Sequence, residues 1–103
     1  MIATLKKIFG IVSTADLKAL KSKGATILDV RTASEFKMGH IPGSTNISVD
    51  QLQKNLGRLN KNKPVITCCA SGMRSGRAAR VLKENGFEVL NGGGWGSLQY
   101  KLK

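Results

Sequence analysis

An α/β domain, with a parallel sheet of about five short strands and helices on both faces, is the architecture this chain of 103 residues predicts. Three observations predict it. Short apolar runs rich in β-branched residues alternate with segments of helical periodicity, the pattern of βα units around a parallel sheet. Most of those runs are apolar throughout, as strands buried on both faces are. The length suits one hydrophobic core and is too short for a second, so residues 1–103 are read as one domain with 1–10 as a lead-in segment.

The elements follow in order. "IVS" (11–13) is the weakest strand candidate. Ser13 with Asp16 has the spacing of a capping box for the helix "TADLKALKSK", and Gly24 stands where a left-handed C-terminal cap falls. "ATILDV" (25–30) is the next strand. Thr32 with Glu35 spells a second capping box, for a short turn through Phe36, and "GHIPGS" (39–44) is a loop by its glycine and proline content. "STNIS" (44–48) is a strand, and Ser48 with Gln51 offers a third box ahead of a helix over "VDQLQKNLGRL". "PVITCC" (64–69) is a strand and "SGRAARVLKENG" the best helix, beginning near Ser75, with Ala78, Val81 and Leu82 on one face and Gly86 closing it. "FEVLN" (87–91) is the last strand and "NGGGWGS" (91–97) a glycine-rich loop.

Composition narrows the function classes. Seventeen Lys and Arg against six Asp and Glu give a formal charge of +11, which draws in anions over long range. The basic residues are scattered, without a run of like charges, and only five aromatics accompany them, so the sequence reads as a solvated basic surface and not as a nucleic-acid footprint. The opening "MIATLKKIFG" has lysines inside its apolar stretch and no cleavage site after it, unlike a signal peptide. No run approaches the length of a membrane span, so the expectation is a cytoplasmic monomer with no membrane or nucleic-acid partner. The two cysteines are adjacent, a spacing at which a disulfide closes a strained ring and constrains almost no chain, so they read as thiols in a reducing compartment.

The chemistry concentrates in "VITCCASGMRSGRAARVL" (65–82). An apolar run ends at Cys68 and Cys69 and a helix begins near Ser75, so residues 69–74 form a loop at the carboxyl end of a parallel strand, where open α/β sheets place ligand sites. Gly72 lets successive N–H groups turn inward, and the following helix adds its positive end, making an anion nest. A thiolate in such a nest is stabilised over the thiol. A fall in pKa from about 8.5 to about 6 raises the ionised fraction at neutral pH from roughly 3% to roughly 90%. Arg74 either reinforces that field or grips an anionic substrate by its guanidinium fork. Strand alternation points Cys68 away from the loop and makes it a small buried hydrophobe, leaving Cys69 as the candidate nucleophile.

Counted from Cys69 the loop is C-x4-R, "CASGMR"; counted from Cys68 it is C-x5-R, the spacing of cysteine phosphatases. With the first spacing the sequence resembles the rhodanese family of sulfurtransferases. "ILDVRTASEFKMGHIPGSTNI" (27–47) is similar to the family's first signature, and "LNGGGWGSL" (90–98) to its closing glycine-rich turn and tryptophan. The resemblance covers nearly the whole chain. It implies a compact parallel sheet flanked by helices and a persulfide carried on Cys69, bound by Ala70, Ser71, Gly72, Met73, Arg74 and Ser75. It makes Asp29 and Arg31 supporting residues that hold the site by hydrogen bonds and ion pairing with groups such as Glu35. A small anionic donor such as thiosulfate would supply the sulfur, and cyanide, a thiol or an acceptor protein would take it. Two rivals stand beside this reading: a cysteine phosphatase or arsenate reductase, and a redox-sensing module using both thiols.

Three other residues have plainer readings. His40, the only histidine, satisfies backbone groups in its tight loop and is not a general base. Trp95 anchors the last segment to the domain. Ser75 caps the helix or donates to a bound anion. One histidine and two adjacent cysteines lack the ligand spacings of a zinc centre, so neither metal nor cofactor is expected.

Overall fold

A computed structural model describes residues 12–103; the lead-in segment 1–10 and Ile11 lie outside the described residues. Helix α1 (Thr14–Ser22) starts at Ser13, whose hydroxyl accepts from the Asp16 N–H while the Asp16 carboxylate accepts from the Ser13 N–H. Strand β1 (Thr26–Asp29) follows Gly24, which takes a φ of +88°. Helix α2 (Ala33–Lys37) has the reciprocal cap of Thr32 and Glu35. Strand β2 (Thr45–Asn46) is shorter than the run 44–48. Strand β3 (Val65–Cys69), helix α3 (Met73–Glu84), strand β4 (Val89–Gly94) and helix α4 (Trp95–Lys101) complete the order.

Among the described residues four strands make one parallel sheet in the order β2-β1-β3-β4, not five. Of the expected first strand, Val12 and Ser13 are not in the sheet, because Ser13 is committed to capping α1. Helices cover both faces. On one face Leu28, Val30, Val65 and Cys69 pack with Ala78 and Leu82 of α3; on the other Ile27, Ile66, Cys68 and Leu90 pack with Leu17 and Leu20 of α1 and Leu98 of α4.

Three local expectations are corrected. The segment 49–59 is not an α-helix but two 3₁₀ turns, Val49–Gln51 and Gln53–Arg58. The Asn55 side chain donates to the Gln51 carbonyl at 2.7 Å, the acceptor its own N–H would use in an α-helix, and that N–H goes to Leu52 instead at 2.9 Å. Ser48 makes no side-chain cap bond, since the Gln51 N–H goes to its carbonyl at 2.9 Å. The glycine-rich segment 91–97 is not a loop: Asn91–Gly94 continue β4, and Trp95 opens α4. Gly92 is glycine because a Cβ there would lie 2.8 Å from Ile66 Cγ2, Leu98 Cδ2 and the Thr67 carbonyl oxygen, so the strand passes too close for any side chain. Finally, α3 starts at Met73, two residues before Ser75, with Gly72 as its N-cap. No helix of the described residues is long and apolar enough to cross a membrane.

Candidate active site

β3 alternates faces as it runs toward its carboxyl end, and this alternation separates the two thiols. Both are buried and free. Cys68 joins the cluster against α1 and α4, beside Asp29 in the β1–β3 register; Cys69 joins the cluster against α3. Burial, and then the Asp29 charge, push the Cys68 thiol up to about 12, the condition of an inert core group.

Cys69 stands where the chain leaves the sheet for α3. Gly72, at φ +105°, bends Ala70–Gly72 back so that its N–H donates to Cys69 Sγ at 3.0 Å. As N-cap it opens α3, whose first intrahelical bond runs from Gly76 N–H to the Gly72 carbonyl at 3.0 Å. The Ser75 N–H belongs to the first turn, where helical amides lack an intrahelical partner, and it also donates to Sγ, at 3.3 Å. The sulfur thus takes the place of a capping oxygen. Burial raises the Cys69 pKa, but the Ser75 hydroxyl and the Ser75, Gly72 and Ser71 N–H groups together outweigh it and hold the thiol below its ordinary range.

The remaining loop residues divide by exposure. Ala70 and Ser71 are exposed and Met73 is 83% exposed, so these exposed side chains of the loop carry no charge. Ser75 is fully buried and is not the helix cap: its hydroxyl lies 3.4 Å from Cys69 Sγ and donates to Asn91 Oδ1 at 2.7 Å, while its carbonyl accepts from Thr67 Oγ1 at 2.9 Å. Arg74 neither caps nor crosses the sulfur. Its fork closes on the Glu35 carboxylate, Nη1 to Oε1 at 2.7 Å and Nη2 to Oε2 at 3.0 Å. This pair, led by the hydrogen bond from Arg74, holds the Glu35 carboxyl down to about 2.

The expected pairing of Arg31 with the Glu35 carboxylate is therefore corrected. Arg31 grips Asp29 instead, with Nε at 2.9 Å and Nη2 at 2.7 Å, and uses its other donors on the carbonyls of Glu35 (3.2 Å) and Gly39 (2.7 Å). Arg74 outcompetes it for the carboxylate because Asp29, two residues away and fully buried, requires a cation of its own. Trp95 covers Arg31, 4.8 Å from guanidinium carbon to ring centroid, and packs against the cluster around α1. His40 lies exposed, its Nδ1 2.7 Å from the Phe36 carbonyl and its ring stacked on Phe36 at 3.7 Å. Among the described residues no group of three or more His, Cys, Asp or Glu side chains is placed to hold a metal ion.

One residue the sequence reading passed over, Asn91, touches this site at two points: Ser75 through its carbonyl and the Gly72 carbonyl oxygen through its amide, at 3.2 Å. Its signal was Gly76, a glycine inside the best helix, where a Cβ would stand 3.2 Å from Asn91 Nδ2.

Comparison with known proteins places this geometry. A family model described as "Rhodanese-like domain" matches residues 13–97. Over 68 residues the chain is 43% identical to uncharacterized protein YqhL of Bacillus subtilis, an alignment covering 65% of this chain and 54% of that protein, so the chain spans about half the length of that relative. It is 33% identical over 76 residues to thiosulfate sulfurtransferase GlpE of Shewanella oneidensis, covering 71% of this chain and 75% of that one. The crystal structure of a rhodanese-like domain protein from Staphylococcus aureus shares its fold with a TM-score of 0.71 at 37% identity, over 85% of this chain and 88% of that chain.

Proposed function

This chain belongs to the rhodanese-like domain family, and on that premise we propose that it is a sulfurtransferase carrying a sulfane sulfur on Cys69. The observation that carries the reading is the Cys69 sulfur at the carboxyl end of β3, receiving the Gly72 and Ser75 N–H groups and, among the described residues, bonded to no carboxylate. A thiolate so held attacks the outer sulfur of a small anionic donor such as thiosulfate. The Sγ–S bond forms as the donor's S–S bond breaks, and sulfite leaves with the electron pair. An acceptor nucleophile, cyanide in an assay or a thiol or acceptor protein in the cell, then attacks the outer sulfur and Cys69 leaves as thiolate. The loop amides oppose charge on sulfur in both steps without a proton to move. Names of sulfurtransferases among the relatives support this reading.

Because the Arg74 fork is engaged by Glu35, the positive potential over the thiolate comes first from backbone amides and the start of α3. That arrangement suits a small dianion more than a bulky one. The test is steady-state sulfur transfer from thiosulfate to cyanide, with a mass increase of one sulfur atom on the protein after donor alone. Cys69→Ser abolishes both. Transfer that survives Cys69→Ser, or hydrolysis of an aryl phosphate faster than sulfur transfer, overturns the proposal.

A further inference from the structure

Asn91 does not touch the Cys69 sulfur, yet it holds both residues whose N–H groups do. Its Oδ1 accepts from Ser75 Oγ at 2.7 Å and from Gly93 N–H at 2.9 Å, and its Nδ2 donates to the Gly72 carbonyl at 3.2 Å. The backbone makes room for it twice. The β3–β4 register carries Thr67 opposite Asn91 but Cys69 opposite Gly94, so β4 has one extra residue there, a bulge that re-aims the strand beside the sulfur. Gly76, in a helix interior that ordinarily favours alanine, leaves the space the Asn91 amide needs.

Ser75 has one hydroxyl proton and two partners. With a neutral thiol, Sγ–H donates to Ser75 Oγ across 3.4 Å and the Ser75 hydroxyl donates to Asn91. An ionised sulfur has no proton to give, and the buried hydroxyl meets its charge only by turning from Asn91 to Sγ. Asn91 Oδ1 keeps the Gly93 N–H through that turn, so no buried acceptor is orphaned.

We propose that Asn91 is a positioning residue of the sulfur-transfer site: it braces Gly72 and Ser75, and it is the alternate acceptor for a Ser75 proton that follows the charge on Cys69. The inference rests on the reading of Cys69 as the sulfur carrier. Only a torsion changes, and the proton stays on Ser75. When the persulfide forms, Sγ becomes neutral and the proton returns to Asn91; when an acceptor removes the outer sulfur, Sγ regains its electron pair and draws the proton back. The titratable groups around the site are Cys68 on β3, Asp29 at the end of β1 and Arg31 after it, Glu35 on α2, Arg74 on α3, and Lys101 of α4, which lines the same pocket as Gly72 and Asn91. Asp29 pairs with Arg31 and Glu35 with Arg74, and among the described residues none of these bonds to Cys69, Ser75 or Asn91.

The test is the pH dependence of Cys69 alkylation by iodoacetamide in the full chain, for the wild type, Asn91→Asp, Ser75→Ala and the double variant. Aspartate keeps the acceptor, holds the Ser75 proton harder and loses the donor to Gly72. Asn91→Asp raises the Cys69 pKa by about one unit or more, a tenfold loss of thiolate below it, and the rise is less than half as large in the Ser75→Ala background. An equal rise in both backgrounds, or none, overturns the inference. If Asn91→Asp does not fold, Asn91→Ala enters the same cycle: a shift that differs about threefold or more in ionisation constant between the two backgrounds supports the relay, and additive shifts overturn it. The readout is ionisation, so a protein with coupled shifts and no sulfur transfer refutes the proposed function alone.

Discussion

Gly72→Ala isolates what the left-handed residue of the loop contributes. An added Cβ would stand 3.5 Å from Gly93 Cα, ordinary van der Waals contact, so there is no clash. The cost is conformational: an L-residue at a φ of +105° is strained by about 1–2 kcal/mol. Relaxing the strain turns the Gly72 N–H away from Cys69 Sγ, and a hydrogen bond to a charged acceptor is worth about 1.5–3 kcal/mol, against about 0.5–1.5 for a neutral one. With a thiol the loop therefore relaxes; with a thiolate the bond outweighs the strain. The two states separate, and the Cys69 pKa should rise by about one unit, since each unit is 1.36 kcal/mol. Iodoacetamide alkylation against pH measures it, with urea unfolding expected to show a loss of about 1–2 kcal/mol. D-alanine at the same position, introduced by ligation at the adjacent cysteines, adopts a positive φ freely and should restore both. An unchanged ionisation midpoint in the L-alanine variant, or an equal rise with D-alanine, refutes the reasoning.

Three further outcomes are expected. Cys68→Ala should leave most of the sulfur transfer, whereas Cys68→Ser should cost about 1–3 kcal/mol in urea unfolding, by burying a hydroxyl in an apolar cluster, without abolishing transfer. Glu35 has a folded pKa near 2, below its unfolded value, so its contribution to stability is complete above about pH 4.3 and is lost as pH falls toward 2. Urea midpoints measured across that window should fall, and Glu35→Gln should flatten part of the fall, modestly because the pair is over a third exposed. Gly92→Ala should destabilise by about 1–3 kcal/mol in urea unfolding, because one of its three contacts at 2.8 Å is a backbone carbonyl that no rotamer change moves.

What the sequence revealed was set locally. The caps at Ser13 and Thr32 need only a partner three residues on, and both formed. Ser48 with Gln51 has the same spacing and failed, because the Gln51 N–H that the cap would receive goes to the Ser48 carbonyl, at 2.9 Å, in a 3₁₀ turn. The glycines of 91–94 read as a loop because composition cannot distinguish a glycine that bends from one that admits a close neighbour; Gly92 is the second kind and Gly93, at φ +79°, the first. The site divides in the same way. Gly72 and the start of α3 lie within a few residues of Cys69 and were legible. The partner of Arg74, 39 residues away, and the reach of Asn91 to Ser75, 16 residues away, depend on which strands the chain sets side by side.

The choice between the two cysteines follows from the same alternation, and it bears on both rival chemistries. A C-x5-R loop counted from Cys68 would need that sulfur over the loop amides, but Cys68 lies on the opposite face of the sheet from the Gly72 and Ser75 N–H groups that meet Cys69. Its thiol, pushed up to about 12 by burial and by Asp29, is almost wholly protonated at neutral pH and makes a poor nucleophile for phosphate or arsenate. A vicinal disulfide fares no better. Both residues are paired within the parallel sheet, Cys68 with Asp29 on β1 and Cys69 with Gly94 on β4. Bringing two sulfurs from opposite faces to bonding distance requires a turn of the peptide between them, which breaks that pairing and withdraws Cys69 from its amides. Oxidation would thus cost the fold its central strand end, whereas a persulfide adds one sulfur to Cys69 and leaves β3 paired as it stands.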